Sequence, residues 1–213
     1  NALTKFSLSN LDTLQTLNLD TNQLTRLNSL PSNLKHLSVS HNRLTDISDG
    51  HRNSHHDNFD HLETINLASN MMKSLKTDDF RSMKSLRELD LSNNFVEELP
   101  KGIFKYFDDI TKIDVSHNNL KIINRSSFGD NEKLETIGLE FNSINAIDPA
   151  LLEDFPNLKA FNVAGNPCVK SSITLMAQLQ KCFVNYEEAS RTRTTTTVSY
   201  ETTEEKKKNI CSF

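Results

Sequence analysis

Apolar and polar residues along this chain alternate in a pattern that returns about every 24 residues. The pattern L-x-x-L-x-L-x-x-N-x-L fits seven times, and its first position falls on Leu14, Leu34, Leu62, Leu86, Ile110, Leu134 and Leu158. These positions are 20, 28, 24, 24, 24 and 24 residues apart, so most units have one length. Self-similarity at such a period predicts a solenoid of stacked units.

The x-L-x-L-x stretch of each unit predicts one short strand. In the fourth unit Leu89 and Leu91 point to one face, while Glu88, Asp90 and Ser92 point to the other. The asparagine that ends the pattern recurs at Asn22, Asn42, Asn70, Asn94, Asn118, Asn142 and Asn166. A buried asparagine amide offers two donors and an acceptor, so it can satisfy backbone groups in the sharp turn after each strand. We therefore interpret the leucines and asparagines as architecture and not as a binding site.

Two further apolar positions complete the unit, six and three residues before its first leucine. They hold Phe80, Phe104, Phe128 and Leu152, and then Phe59, Met83, Phe107 and Phe155, whereas Asn131 breaks the second rule in one unit. With these residues the chain resembles the leucine-rich repeat family, in the 24-residue form common among animal extracellular members. The resemblance implies an α/β solenoid, a horseshoe with a parallel concave sheet, an irregular or 3₁₀ convex side and a C-terminal cap helix.

The repeats divide the chain into two predicted parts. Residues 1–167 are expected to form leucine-rich repeats, with a partial repeat at 1–13 followed by seven strand units. Because the chain begins in mid-repeat, we expect either an N-terminal cover in upstream residues or an unusually short end cover. Residues 168–213 are expected to form a C-terminal cap, with a helix over about 171–182 from its apolar spacing and then a Thr-rich tail. That tail predicts either a strand at the cap or a flexible stalk.

The cap is also loosely similar to that of secreted insect leucine-rich repeat proteins, including mosquito ones. It carries the three cysteines of the chain, Cys168, Cys182 and Cys211. A helix over 171–181 spans about 16 Å, whereas bridged Cα atoms lie within about 7 Å, so Cys168 and Cys182 are not expected to pair. We predict a disulfide between Cys168 and Cys211; pairing of Cys182 with Cys211, or three reduced thiols, are the alternatives. An unpaired cysteine could also link two chains.

The outward strand positions define a candidate partner-binding face. Its charged residues are Asp20, Glu88, Asp90, Asp114 and Glu140 against Lys112 alone, which gives this face a charge of −4. We therefore expect a basic or polar protein partner. Phe141 follows Glu140 at the sheet edge, and Gly138 is expected to leave a hollow beside it that suits a binding hot spot. The candidate binding residues are His36, Asn66, Glu88, Asp90, Lys112, Asp114, Glu140 and Phe141.

Two loop features carry weaker hypotheses. The third unit is four residues longer than the 24-residue units and holds His51, His55, His56 and His61. Histidines at this density suit zinc or copper, but their spacing fits no defined motif, so metal binding is the lesser alternative to a solvated loop. Asn124-Arg125-Ser126 is a glycosylation sequon on the convex side, where a glycan would leave the sheet accessible.

Composition and missing motifs narrow the function class. The chain has a net charge of −4, which does not favour nucleic acid, and no apolar run approaches the roughly 18 residues of a membrane span. It lacks a glycine-rich phosphate loop, a nucleophile elbow, HExxH and CxxC, so neither an enzyme nor a cofactor is expected. The resemblance implies a secreted or cell-surface recognition module, in innate immunity or at a host interface. The alternatives are an intracellular scaffold or regulatory subunit and a self-associating adhesion protein.

Overall fold

Seven parallel strands form one continuous sheet in the computed structural model, which describes residues 3–5, 8, 11, 13–27, 30–47, 59–169, 179, 182–183 and 185–186. The strands are β1 Thr16–Asn18, β2 His36–Ser38, β3 Thr64–Asn66, β4 Glu88–Asp90, β5 Lys112–Asp114, β7 Thr136–Gly138 and β9 Ala160–Asn162. They lie side by side in the order β1-β2-β3-β4-β5-β7-β9. Equivalent repeat positions pair in register throughout, so the predicted parallel solenoid is confirmed.

Alternation along each strand separates the core from the outer face. The central residue of every strand of this sheet after β1 is buried, as at Leu37, Leu89 and Ile113, while the first residue of each of these strands remains at least partly accessible. The first and third leucines of each unit add to the same core. Apolar residues of all seven units therefore form one cluster, because no single unit can bury its own apolar face.

A ladder of asparagine side chains holds the turns that follow the strands. Asn118 is typical: its Nδ2 donates to Val115 O at 3.1 Å and to Leu91 O at 3.0 Å, and its Oδ1 accepts from Val96 N at 2.9 Å. Leu91 O also accepts from Asn94 Nδ2 at 3.0 Å, so two asparagines donate to one carbonyl. The same arrangement repeats along the stack, which confirms the structural interpretation of these residues.

The side opposite the sheet is irregular and aromatic. It contains the two-residue strands β6 Ile122–Ile123 and β8 Ala146–Ile147 and two 3₁₀ helices, Arg125–Ser127 and Pro149–Glu153. Phe104 packs against Phe80, Phe107 and Phe128, with ring centroids 6.1, 5.9 and 5.4 Å apart. These bulky layers need more room than strands about 4.8 Å apart, which places the sheet on the concave side of the stack.

Asn131 replaces an apolar residue of that side without leaving its amide unsatisfied. It is 5% exposed, and its Nδ2 donates to Phe104 O at 3.1 Å and to Phe128 O. The departure from the repeat pattern is therefore compensated by hydrogen bonds to the backbone of the same unit and of the preceding unit.

Charged residues before the strands form pairs between neighbouring units. Lys35 Nζ lies 3.3 Å from Glu63 Oε1, and Lys159 Nζ lies 2.8 Å from Glu135 Oε1. Each of these residues occupies the second position of its repeat. Since all four side chains are at least partly exposed, each pair contributes only about 0.2–1 kcal/mol to stability.

The C-terminal cap contains a disulfide between Cys168 and Cys182, whose Cα atoms are 4.9 Å apart. The predicted Cys168–Cys211 pairing is therefore wrong. That prediction was based on the length of the helix expected over 171–181, and the 4.9 Å separation shows that this length did not decide the pairing. Both bonded cysteines are buried, so the bridge closes the apolar end of the stack. Cys211, the third cysteine of the sequence, lies outside the described residues.

The described residues of the cap have helical backbone at Leu179, Cys182, Phe183, Asn185 and Tyr186. Asn185 Nδ2 donates to Asn145 O at 2.7 Å, which attaches this segment to the preceding repeats. The ends of the predicted 171–182 helix and the Thr-rich tail lie outside the described residues. The helix, the tail and the domain boundary after residue 167 stay predictions.

Candidate protein-binding surface

The outer face of the first five strands encloses a shallow open hollow of about 340 Å³. Strands β1 to β4 line it with all three of their residues, and Lys112 closes it at β5. His36 is exposed at its margin, where its Nδ1 lies 3.0 Å from Thr64 Oγ1. The hollow brings together four of the predicted binding residues besides Lys112: His36, Asn66, Glu88 and Asp90.

Glu88 and Lys112 lie opposite each other in the register of β4 and β5. Both side chains are exposed, and within the described ranges neither belongs to an ion pair shorter than 4 Å. Their charges are therefore available to an incoming partner. Glu140 is half-buried in the turn after β7, beyond the hollow.

The strand-end side chains have a structural role that sequence reasoning missed. Asp90 Oδ1 accepts from Ser92 N, and Asp114 Oδ1 accepts from Ser116 N, both at 2.9 Å. Asn66 makes the same contact with a backbone N–H two residues on. An Asp or Asn that bonds the backbone two residues later forms an Asx turn. The signal was present as Asn or Asp at this position in several units. Either amide or carboxylate can fill this role, so the negative charge of Asp90 and Asp114 is not required by the turn.

Asp20 supplies the side-chain acceptor for the turn of the neighbouring unit, in which Ser38 occupies the strand end. Asp20 Oδ1 accepts from Ser40 N and from Ser38 Oγ, each at 2.7 Å. Partial burial raises the pKa of Asp20, but the hydrogen bonds from Ser38 and Ser40 outweigh it and leave the pKa below its ordinary value. The first carboxylate of the acidic face is therefore held ionised by its neighbours.

The expected hollow beside Gly138 does not exist. A Cβ at Gly138 would lie 2.8 Å from Asp114 Oδ1, so the carboxylate of the adjacent strand occupies that space. Phe141 lies instead against His117, with ring centroids 4.6 Å apart and planes inclined by 18°. On its other side a Cβ at Gly165 would come within 2.6 Å of Phe141 Cδ1. The ring is fixed between two neighbouring units and is still 57% exposed.

The residue before each ladder asparagine has a left-handed backbone. It holds Thr21, His41, Ser69, Asn93, His117, Phe141 and Gly165, with φ from 51° to 57° for the six residues other than glycine. Positions on both sides of an inward asparagine point away from the core. Met71 and Phe95, which follow their asparagines, are 46% and 48% exposed. The turns at the strand ends thus carry an exposed edge, the strand-end rim, which consists of Met71, Phe95, His117 and Phe141. Of these four residues, only Phe141 was predicted.

The remaining predicted residues lie apart from this face. Asn124 is half-buried on the convex side, just before the Arg125–Ser127 3₁₀ helix, and its Oδ1 accepts from Tyr186 Oη at 3.1 Å. His51, His55 and His56 lie outside the described residues, whereas His61 is exposed. The described part of the chain contains no group of three or more metal-binding side chains, and none of its helices is long and apolar enough to span a membrane.

A curved parallel sheet with an open polar face and a covered apolar end defines a class of repeat proteins that present binding surfaces. The family model described as leucine rich repeat matches residues 32–96, 85–144 and 108–168. Since these matches together extend from 32 to 168, more than half of the 213 residues, the chain belongs to the leucine-rich repeat family.

Solved structures with the same fold include receptor ectodomains. TLR13 in complex with ssRNA13 is 26% identical with a TM-score of 0.68, covering 80% of this chain and 24% of its own. The leucine-rich repeat domain of the mosquito protein APL1B is 22% identical, with a TM-score of 0.64 and coverages of 82% and 48%. The ectodomain of the Arabidopsis thaliana receptor kinase GASSHO1/SCHENGEN3, solved with CASPARIAN STRIP INTEGRITY FACTOR 2, is 22% identical, with a TM-score of 0.59 and coverages of 73% and 19%.

The chain therefore spans less than half of each of these structures. Among curated protein sequences, no significant match to the chain is found.

Proposed function

We propose that this chain is a non-enzymatic recognition module of a secreted or cell-surface protein, and that it binds a basic or polar protein on its concave face. The observation that carries the proposal is the charge of that face, where five carboxylates stand against Lys112 alone. Glu88 and Lys112 are exposed, and the other acids are partly accessible. Complementary charge favours partners of the opposite sign and speeds their association.

The acidic face also bears on the class of partner. TLR13, which shares the fold, is solved with single-stranded RNA. Phosphate groups would meet repulsion on the concave face of this chain, since affinity for nucleic acid comes largely from Lys and Arg contacts to phosphates. A protein ligand is therefore favoured over RNA at this surface.

The disulfide bears on the compartment. Structural disulfides persist in oxidising environments and are rare in the cytosol, so the Cys168–Cys182 bond supports a secreted protein or ectodomain over the alternative of an intracellular scaffold. Cys211 could join two chains, which is the form that the self-associating adhesion alternative would take. A role in immunity or at a host interface remains part of the proposal.

The test is a charge-neutralising variant of the concave face, Glu88→Gln/Asp90→Asn/Asp114→Asn. Asparagine keeps the side-chain oxygen that accepts from Ser92 N and Ser116 N, so the turns should persist while three charges disappear. The matched control neutralises three exposed acids of the loops that precede the strands: Asp60→Asn, Asp108→Asn and Glu132→Gln.

The probe for both variants is a random-peptide display library selected on the wild-type protein, followed by affinity measurement of the selected peptides by fluorescence polarisation. We expect the selected peptides to be basic and to lose about tenfold in affinity on the concave-face variant, the scale of 1.4 kcal/mol, and to bind the control variant normally. Equal binding to wild type and both variants would refute a concave-face site. Preferred binding of a single-stranded RNA oligonucleotide to wild type, in parallel assays, would refute the protein-ligand assignment.

Glycosylation is a separate part of the proposal, with Asn124 as the modified residue. Ser126→Ala removes the sequon but keeps Asn124 and its contact with Tyr186. We expect the wild-type protein secreted from animal cells to lose mass on treatment with peptide-N-glycosidase, and Ser126→Ala to show no such loss. An untreated wild-type mass equal to that of the bare polypeptide would contradict this assignment.

A further inference from the structure

We infer that the strand-end rim is an anchor point for one large apolar side chain of a protein segment that also carries Lys or Arg close to that side chain. The inference rests on the proposed function and specifies the chemistry of the partner. The contact that defines it is the fixed aromatic edge formed by Phe141 and His117, adjacent to the acidic concave face.

Most of the exposed large apolar side chains lie at the strand-end rim. Five large apolar side chains are exposed in the described residues, and three of them, Met71, Phe95 and Phe141, lie along this single edge. Phe141 and Phe95 belong to turns of different units that the backbone holds in place: Phe141 N donates to Ala164 O at 2.8 Å, and Phe95 N donates to Met72 O at 2.8 Å. Exposed apolar residues scattered over a surface are normal, but three in the turns at one end of the sheet favour an interaction surface there.

The ring of Phe141 is held in position by its neighbours before any partner binds. A left-handed backbone is unfavourable for a residue with a Cβ, and Phe141 adopts it at φ 51°. The stacked His117 ring on one side and the absence of a side chain at Gly165 on the other give the Phe141 ring a defined position. Because little side-chain freedom is left to lose on binding, contacts with this ring add more to affinity than contacts with a mobile side chain.

The charges and contacts around Phe141 favour one kind of partner segment. Glu140 precedes Phe141 directly and is half-buried on the acidic face, and Asp114 lies three residues before His117 at the end of β5. A partner segment bound at the rim therefore lies close to the carboxylates of Glu140 and Asp114. His117 and Gly165 flank the ring, so a cation has little access to its faces, and the exposed ring edge suits an aliphatic or aromatic side chain. A partner segment with a large apolar side chain next to Lys or Arg therefore fits both the aromatic rim and the carboxylates beside it.

The test uses the same random-peptide display library on the wild-type protein, followed by affinity measurement with three variants. Phe141→Ser removes the ring, Gly165→Ala retains the ring but displaces it, and Leu11→Ser removes a side chain that is 45% exposed elsewhere. We expect selected peptides to carry Lys or Arg within a few residues of a large apolar one. Their affinity should fall about tenfold on Phe141→Ser, as at a hot spot, fall less on Gly165→Ala, and stay unchanged on Leu11→Ser.

The outcomes separate this inference from the proposed function. Basic peptides that bind Phe141→Ser normally but lose affinity on Glu88→Gln/Asp90→Asn/Asp114→Asn would overturn the rim inference and leave the acidic-face proposal standing. Apolar peptides without basic residues, weakened by Phe141→Ser alone, would overturn the occupant stated here and the charge-based function together. A wild-type dimer that Phe141→Ser dissociates in light scattering would make the occupant a second copy, which also contradicts the inference. A library without binders would refute both.

Discussion

Removal of one ladder asparagine would measure how strongly the turns depend on side-chain hydrogen bonds. Asn118 is 6% exposed and bonds four backbone groups: Leu91 O, Val115 O, Ser116 O and Val96 N. Asn118→Ala removes all four contacts. The three carbonyls keep one donor each, because other asparagines also donate to them. Only the buried Val96 N–H loses the acceptor described for it.

The expected cost follows from this asymmetry. A buried donor left without an acceptor costs about 1–3 kcal/mol, and each lost bond whose carbonyl keeps a second donor costs at most about 0.5–1 kcal/mol. We therefore expect Asn118→Ala to lower the free energy of unfolding by about 2–4 kcal/mol. Urea denaturation followed by circular dichroism measures this as a lower midpoint with an unchanged slope.

The matched control is Asn119→Ala, one residue later on the exposed side of the same turn. Its backbone N–H donates to Val96 O at 2.9 Å, and the substitution leaves that bond in place. We expect a change within about 0.5 kcal/mol, as for ordinary surface positions. Equal losses for the two variants would refute the assignment of the ladder as the main support of the turns.

Three further predictions concern the core, the acidic face and the cap. Phe104→Ala should lower the free energy of unfolding by about 3–5 kcal/mol, since its ring is fully buried among other aromatic rings. Phe95→Ala, at a position 48% exposed, should lower the free energy of unfolding far less in the same urea titration. Comparable losses for the two variants would contradict the packing. Asp20 has a folded-state pKa below its ordinary 3.8, so its stabilising contribution is present above that pH and is lost as the pH falls through the folded pKa; melting temperatures of wild type and Asp20→Asn should converge in acid, and a constant difference would contradict this. Thiol titration of the unfolded, non-reduced monomer should find one reactive cysteine, Cys211, whereas three would contradict the Cys168–Cys182 bond.

Periodicity predicts this fold well because the determinants of each unit are local. Each unit contains the residues that determine its strand, its inward leucines and its asparagine turn. The neighbouring unit carries the same residue types at the equivalent positions. Even the exception at Asn131 is visible in the sequence, although its compensation through Phe104 O is not. Each unit requires the same residue types at the same positions, so seven matches to one pattern define the sheet.

The errors arise where distant residues decide the outcome. The pairing of Cys168 with Cys182 depends on the path of the chain between them, which a helical spacing rule misjudged. The position of Phe141 depends on His117 and Gly165, each 24 residues away in a neighbouring unit. Lateral neighbours at this distance can be found from the repeat alignment, but the direction of their side chains follows from the left-handed backbone of the turn.

The charge pairs in front of the strands have a consequence for how the array assembles. A chain of nearly identical units could skip one unit during folding and pair a strand with its next neighbour but one. Lys35 would then face Arg87 in place of Glu63, and Lys159 would face Thr111 in place of Glu135. Each of these two mispairings replaces an attraction with a repulsion or with no charge interaction, which is a small penalty at two places in the stack. Charge at this position therefore distinguishes two pairs of neighbouring units that their leucines alone would not.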